Sequence, residues 1–303
     1  MKSRYQVEGA EGMVETINPS IRRILAPNPS PMTFTGTNTY LVGTTEIAVV
    51  DPGPDHRNHL NAILDAIGPG TQITKILVTH SHLDHSPLAK ALSLRCGAKI
   101  YAYGDSFSGR SKSMVELAQL GTIAGGEGID EAFQPDITLL DGFELQHDGA
   151  CLTAIWTPGH FGNHMAFAYD KYIFCGDHVM GWASSMVSPP DGDLVAFRQS
   201  CTRLLTRPET FYLPGHGDPI EDGPTRLRWL LAHRDDREMQ ILAALDQRSD
   251  TAQGLAERIY LDIDPCLIPA ATRNVLAHLI DLNTRKVISS NGIMDLNTKY
   301  STL

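Results

Sequence analysis

The sequence predicts an α/β protein of two packed sheets covered by helices, followed by a small α-rich C-terminal appendage. Three observations carry this expectation. Short β-rich runs occur in both halves of the chain up to about residue 216, amphipathic helical patterns stand between them, and from about residue 222 the pattern turns helical.

In the first half, NTYLVGT and EIAVVDPG read as short strands around a turn, and HRNHLNAILDAIG has the apolar spacing of a helix that stops at Gly68. ITKILVTH is a buried strand. Ser86 and Pro87 suit the cap and first position of a helix over SPLAKALSLRCG, which ends at Gly97, and AKIYAY is another strand. The stretch from Gly104 to Pro135, with IAGGEGIDE, is the least regular. Its glycines lack a following G-K-[ST], so it reads as a flexible connection or lid rather than a phosphate loop.

A second β-rich block contains FELQHDG, CLTAIWTPGH, MAFAYD, YIFCGDH and, after a helix near residues 194 to 206, TFYLPGHGD. The tail offers TRLRWLLAHRDDREMQILAALDQ as a long amphipathic helix, TAQGLAERIY and PAATRNVLAHLIDLNTRK as two more, and VISSNG…TKYS as a small hairpin. Three helices and a hairpin outline a winged-helix-like unit.

A chain of 303 residues suits one large domain with a smaller appendage. Its 42% hydrophobic and 20% charged residues are ordinary for a globular protein. No segment approaches the roughly 18 apolar residues of a membrane span. The N-terminal MKSRYQVEGAEGMVETINPS has neither an apolar stretch nor a small-residue cleavage site, so the expectation is a cytoplasmic protein without a secretory signal. Five widely spaced cysteines, none in a C-x-x-C pair, argue against disulfides and thiolate metal sites and are expected to be reduced and mostly buried. A net charge of −10 disfavours a nucleic-acid partner bound through phosphate neutralisation. A small-molecule or carrier-linked substrate is expected instead, with no membrane partner; a homo-oligomer is compatible with the chain.

The run ILVTHSHLDHS sets three histidines and an aspartate within six positions at a strand end. Four apolar runs terminate in metal-type residues: ILVTH at His80, LTAIWTPGH at His160, YIFCGD at Asp177 and TFYLPGH at His216. Strand ends on one edge of a sheet system bring such residues together. His80 and His82, two apart, share a face of an extended segment, whereas Asp84 and His85 turn inward separately at the loop-to-helix junction. Two sub-sites follow. Imidazole and carboxylate donors suit Zn²⁺, two per chain, and would accept Mn²⁺ or Fe²⁺. Asp177 is a carboxylate able to bridge the ions, and Asp51 in VVDPG supports ligands by hydrogen bonding. Substrate contacts are expected from nearby loops: Asn38 and Tyr40 in FTGTNTY, His164, and Trp182 in HVMGWASSMVSPPDGD.

The H-x-H-x-D-H run with a separated His, Asp and His resembles the metallo-beta-lactamase superfamily. GTNTYLVG, DPGPD, TPGHFGNHMAF, GDHVMG and YLPGHG, with HRDDREMQIL and the helical tail, are similar to its beta-lactamase-like protein 2 branch. The resemblance implies an αββα sandwich over residues 1–230 and a winged-helix-like domain over 231–303. It implies a first zinc on His80, His82 and His160, a second on Asp84, His85 and His216, and Asp177 between them. The expected activity is that of a dinuclear-zinc-dependent hydrolase, in which a metal-bound hydroxide oriented by Asp84 attacks an ester, thioester or lactone. The alternative is a metal-dependent endoribonuclease acting on single-stranded RNA. Two departures stand out: Ser86 and Pro87 replace the paired glycines of many members, and Leu83 stands where di-iron relatives have a ligating Glu.

Overall fold

The computed structural model describes residues 12–121, 123 and 128–303. The first half contributes β1 (Val14–Asn18), β2 (Ile21–Leu25), β3 (Asn38–Val42), β4 (Glu46–Val50), α1 (Arg57–Asp65), β5 (Gln72–Leu77), α2 (Leu88–Cys96), β6 (Lys99–Ala102), α3 (Lys112–Leu120) and β7 (Ile137–Thr138). Its seven strands form one sheet in sequence order, antiparallel from β1 to β4 and parallel from β4 to β7. The second half contributes β8 (Glu144–His147), β9 (Ala150–Trp156), β10 (Met165–Tyr169), β11 (Tyr172–Gly176), α4 (Leu194–Leu204) and β12 (Phe211–Pro214). These five strands form a second sheet in the order β12-β11-β10-β9-β8, with β11 and β12 parallel.

The period of two along each strand builds the layers. Ala48 and Val50 of β4 face Met165 and Phe167 of β10 in a core between the sheets, together with Tyr40, Leu77, Phe174 and Leu213. Ile47 and Val49 point the other way, onto Leu60 and Ile63 of α1 and Leu88 and Leu92 of α2. Ala166 and Ala168 likewise turn away from the inter-sheet core toward Leu194, Phe197 and Leu204 of α4. Both sheets are therefore covered on both faces, which is the expected αββα sandwich.

The tail consists of α5 (Gly223–Gln247), α6 (Ala252–Ile259), a short 3-10 turn, α7 (Ile268–Thr284) and an antiparallel hairpin of β13 (Ile288–Ser290) with β14 (Tyr300–Thr302). The boundary expected at 230/231 lies inside α5, which runs unbroken across it. Leu227 and Leu230 pack in the helix layer of the second sheet, and Ile241, Ala244 and Leu245 pack with α6 and α7.

Some local expectations are corrected. The Gly104 to Pro135 stretch contains a full helix, α3, capped by Ser111, whose Oγ accepts from the Met114 N–H, and stopped by Gly121 in the left-handed region. Met114 and Leu117 bury against the tail, a tertiary contact that stabilises a helix too short to persist alone. The lid expectation for IAGGEGIDE falls partly on residues 122 and 124–127, which lie outside the described residues. Ser86 does not cap α2: its hydroxyl donates to the Asp130 carboxylate at 2.7 Å, and Pro87 takes the cap position. All five cysteines are free, but only Cys175 and Cys201 are fully buried.

Candidate active site

Parallel pairing of β11 with β12 delivers two of the candidate ligands side by side. Strand β11 ends in Gly176 and β12 is followed directly by Gly215, whose N–H donates to the Gly176 carbonyl at 2.9 Å, so Asp177 and His216 leave the sheet together. Both glycines are required by space. A Cβ on Gly176 would sit 2.7 Å from His164 Nε2 and from Thr79 Oγ1, and one on Gly215 would sit 2.6 Å from His85 Cε1. The other sheet is stitched to this edge by the Met165 N–H on the Thr79 carbonyl and the Asn38 N–H on the Gly215 carbonyl, each 2.7 Å. That brings the end of β5, and with it His80 to His85, to the same place.

Two groups of donors result. His80, His82 and His160 form one, and Asp84, His85, Asp177 and His216 the other; within each, the nearest ligand atoms lie within 4.8 Å of one another. The Asp177 carboxylate faces both, with Oδ1 3.4 Å from His85 Nε2 and Oδ2 3.3 Å from His216 Nε2 and 3.8 Å from His160 Nε2. The side chain of Asp84 is 25% exposed, against 9% for Asp177, so Asp84 faces the open side.

The hydrogen bonds behind these rings fix which nitrogen faces inward. A carbonyl or carboxylate oxygen can only accept, so the partnered ring nitrogen must carry the proton. His160 Nδ1 donates to the Met186 carbonyl at 2.7 Å, His216 Nδ1 to the Gly36 carbonyl at 3.1 Å, and His85 Nδ1 to Asp51 Oδ2 at 2.9 Å. Thr79 Oγ1 donates to Asp51 Oδ2 at 2.7 Å and so accepts from His80 Nδ1 at 3.0 Å. Four imidazoles therefore turn Nε2 into the site, while His82 turns Nδ1, 2.9 Å from His80 Nε2 and 3.2 Å from His160 Nε2.

Such a constellation fits divalent cations. Three ring nitrogens converge with at most one proton among them, and the buried His85 Nε2 and Asp177 Oδ1 have no hydrogen-bond partner. The charges agree. Burial disfavours the charged form of His216, but Asp177 and Asp84 outweigh it and raise its pKa to about 10; His85 is raised for the same reason by Asp84, Asp177 and Asp51. Burial, reinforced by neighbouring imidazoles, lowers His80 well below the ordinary range and lowers His82 to about 3. The carboxylate side of the site thus demands positive charge, while the imidazole side offers neutral lone pairs.

The residues expected to touch substrate are placed differently. Asn38 and Tyr40 are buried; Asn38 Nδ2 donates to the Pro214 and Gly217 carbonyls, and the Tyr40 hydroxyl donates to the Pro214 carbonyl at 2.8 Å. They brace the segment carrying His216, a scaffolding role in place of substrate contact. His164 is also buried, bonded through Nδ1 to Thr157 Oγ1 at 2.8 Å, with its ring 5.2 Å from that of His80. Trp182 alone of the four is partly exposed; it stacks on Phe34 at 4.9 Å and lies against Gly217, beside His216. Sequence reasoning missed Thr79 and the Met186 carbonyl. A hydroxyl next to the first ligand was a signal for Thr79; a backbone carbonyl gives none.

Residues 32–216 match the metallo-beta-lactamase superfamily, and residues 251–294 match the beta-lactamase associated winged helix domain. The chain belongs to the metallo-beta-lactamase superfamily and carries an appended winged helix domain. Within the superfamily it is similar to the beta-lactamase-like protein 2 homologue of Drosophila melanogaster, 29% identical over 282 residues and 89% of each chain. Lactamase-like protein adaB of Aspergillus niger is 30% identical over 239 residues, 77% of this chain and 66% of the fungal protein, just under two thirds of its length. Atrochrysone carboxyl ACP thioesterase of Passalora fulva is 30% identical over 260 residues, 82% of this chain and 70% of the other. A solved metallo-beta-lactamase family protein from Thermus thermophilus superposes with a TM-score of 0.76 at 25% identity, covering 95% of this chain and 100% of that one.

Proposed function

We propose that the chain is a dinuclear hydrolase of acyl thioesters, with a carrier-linked acyl group as the substrate class and zinc as the metal. The observation that carries the dinuclear part is the Asp177 carboxylate standing between two donor groups, four of whose imidazoles are bonded through Nδ1 so that Nε2 faces inward. The substrate class is supported by the likeness to the Passalora thioesterase over 82% of the chain. Divalent cations held there supply Lewis acidity toward a carbonyl and lower the pKa of water toward about 7.

The chain's own residues do the rest. Asp84, on the open side, offers a carboxylate oxygen 3.1 Å from His216 Nε2 as the group that orients the attacking water and takes its proton. Water adds to the thioester carbon, the C–S bond breaks, and the proton returns to the departing thiolate, giving acid and thiol. Trp182 and Phe34 supply a flat apolar wall beside His216 for the acyl group. Elemental analysis of the purified protein, with a turnover panel of acyl thioesters, lactones and single-stranded RNA, tests this reading. It predicts two divalent ions per chain and thioester cleavage abolished by chelation and by Asp84→Ala. Cleavage of RNA alone would favour the endoribonuclease reading. The exposed stack on α5, with Arg226 4.0 Å above Trp229 and His233 5.0 Å from the same ring, is a surface on which bases could stack.

A further inference from the structure

The segment from Asp177 to Asp193 crosses the site and is held from outside by the C-terminal helices. Arg226 of α5 donates to the Met180 and Ala183 carbonyls, each at 2.7 Å. Arg234 of α5 donates to the Ser185 carbonyl, and Asn274 of α7 accepts the Val187 N–H at 3.0 Å. Arg273 of α7 donates to the Pro189 carbonyl at 3.1 Å. The bonds to Ser185 and Val187 flank Met186, whose carbonyl takes the proton of His160 Nδ1 at 2.7 Å.

From this geometry we infer that Asn274 and Arg234 are positioning residues of the metal centre, through which the winged-helix tail sets the orientation of His160. The inference rests on the hydrolase reading only in treating His160 as a ligand. Arg234 is 1% exposed, and burial draws its pKa down to about 10, so it remains charged at neutral pH. A buried cation whose donors go to a carbonyl and an amide oxygen is an expensive way to fill space and a strong way to fix a backbone. Asn274 Oδ1 takes both the Val187 N–H and Arg234 Nη1, the latter at 3.1 Å. Both partners are donors, so the amide can face them only with its oxygen. One oxygen therefore locks the arginine and the loop together. With the loop locked, the Met186 carbonyl keeps the proton on Nδ1 and leaves Nε2 as the lone pair facing His82.

The test uses the full chain. Proton–nitrogen NMR of the metal-free protein reads the tautomer of each histidine, and calorimetric titration with Zn²⁺ reads the two sites. In the wild type, His160 is expected as the Nδ1–H tautomer. Asn274→Ala should move a measurable fraction to Nε2–H while leaving His216 unchanged, and should weaken one zinc site by about tenfold or more. Asn274→Asp retains the acceptor oxygen and should restore both readouts. Arg273→Ala, at a half-buried position, should shift the same tautomer in the same direction to a smaller extent. An unchanged His160 tautomer in both alanine variants overturns the inference. A shifted tautomer with unaltered zinc binding upholds the positioning role and counts against the metal-centre reading instead.

Discussion

Asp51 is the point at which one substitution reaches both halves of the site. Its Oδ1 accepts the Thr79 N–H at 2.7 Å, and its Oδ2 accepts both the Thr79 hydroxyl at 2.7 Å and His85 Nδ1 at 2.9 Å. Asp51→Asn keeps the size and suits the backbone, because Asp51 has a φ of 49° and asparagine tolerates that left-handed conformation. The amide oxygen stays on the Thr79 N–H, leaving an NH₂ group facing two former donors. His85 must then carry its proton on Nε2, where a ligand lone pair belongs. The Thr79 hydroxyl then accepts from the amide and its own proton loses its acceptor, which loosens its hold on His80 without abolishing it. One charge-assisted hydrogen bond is worth about 1.5–3 kcal/mol, and at about 1.4 kcal/mol per decade the ion shared by Asp84, His85, Asp177 and His216 should bind about 10–100-fold more weakly. The second ion should weaken by less. Competition against a chromophoric chelator measures both constants, and a thermal melt of the metal-free protein controls for folding. Unchanged affinity for both ions in a folded variant refutes the assignment of tautomers.

Two further substitutions probe the frame. Gly215→Ala puts a methyl group in the space between Asp177 and His85; metal content should fall while the metal-free melting temperature changes little, and full retention of metal counts against the proposed cradle. Asp148 bonds the N–H groups of Thr44 and Glu46, which hold its carboxyl well below the usual range. A depressed folded pKa stabilises the fold above the unfolded value of about 3.9, and that contribution is lost as pH falls through the folded value. Asp148→Asn should therefore cost about 1 kcal/mol at neutral pH, discounted for its exposure, and should flatten the fall of melting temperature below about pH 4.

The sandwich and the seven clustered donors were legible because their signals are local. An apolar strand that ends in histidine, and two histidines two residues apart, carry their geometry in the sequence itself. Asn38 and Tyr40 were misread because their role depends on the Pro214 carbonyl, remote in sequence and presented by the neighbouring sheet. The clamp on Met186 left no trace for a similar reason. Arg234 sits in a strongly charged helix and looks like a surface residue, yet it is buried with a backbone carbonyl as partner, and every sequence contains carbonyls. Helix α3 is a different case: the glycines of IAGGEGIDE drew the whole stretch into a loop, and the caps at Ser111 and Gly121 emerged only in the structure.

Helix α5 has one end wedged under the second sheet through Leu227 and Leu230 and the other among the tail helices through Ile241 and Leu245. A rod anchored at both ends transmits rotation instead of absorbing it, so this joint has no hinge. The tail cannot swivel like a tethered module; any torque on it arrives at Arg226 and Arg234, about one turn and three turns along the same rod, and from there at the segment that borders the candidate site.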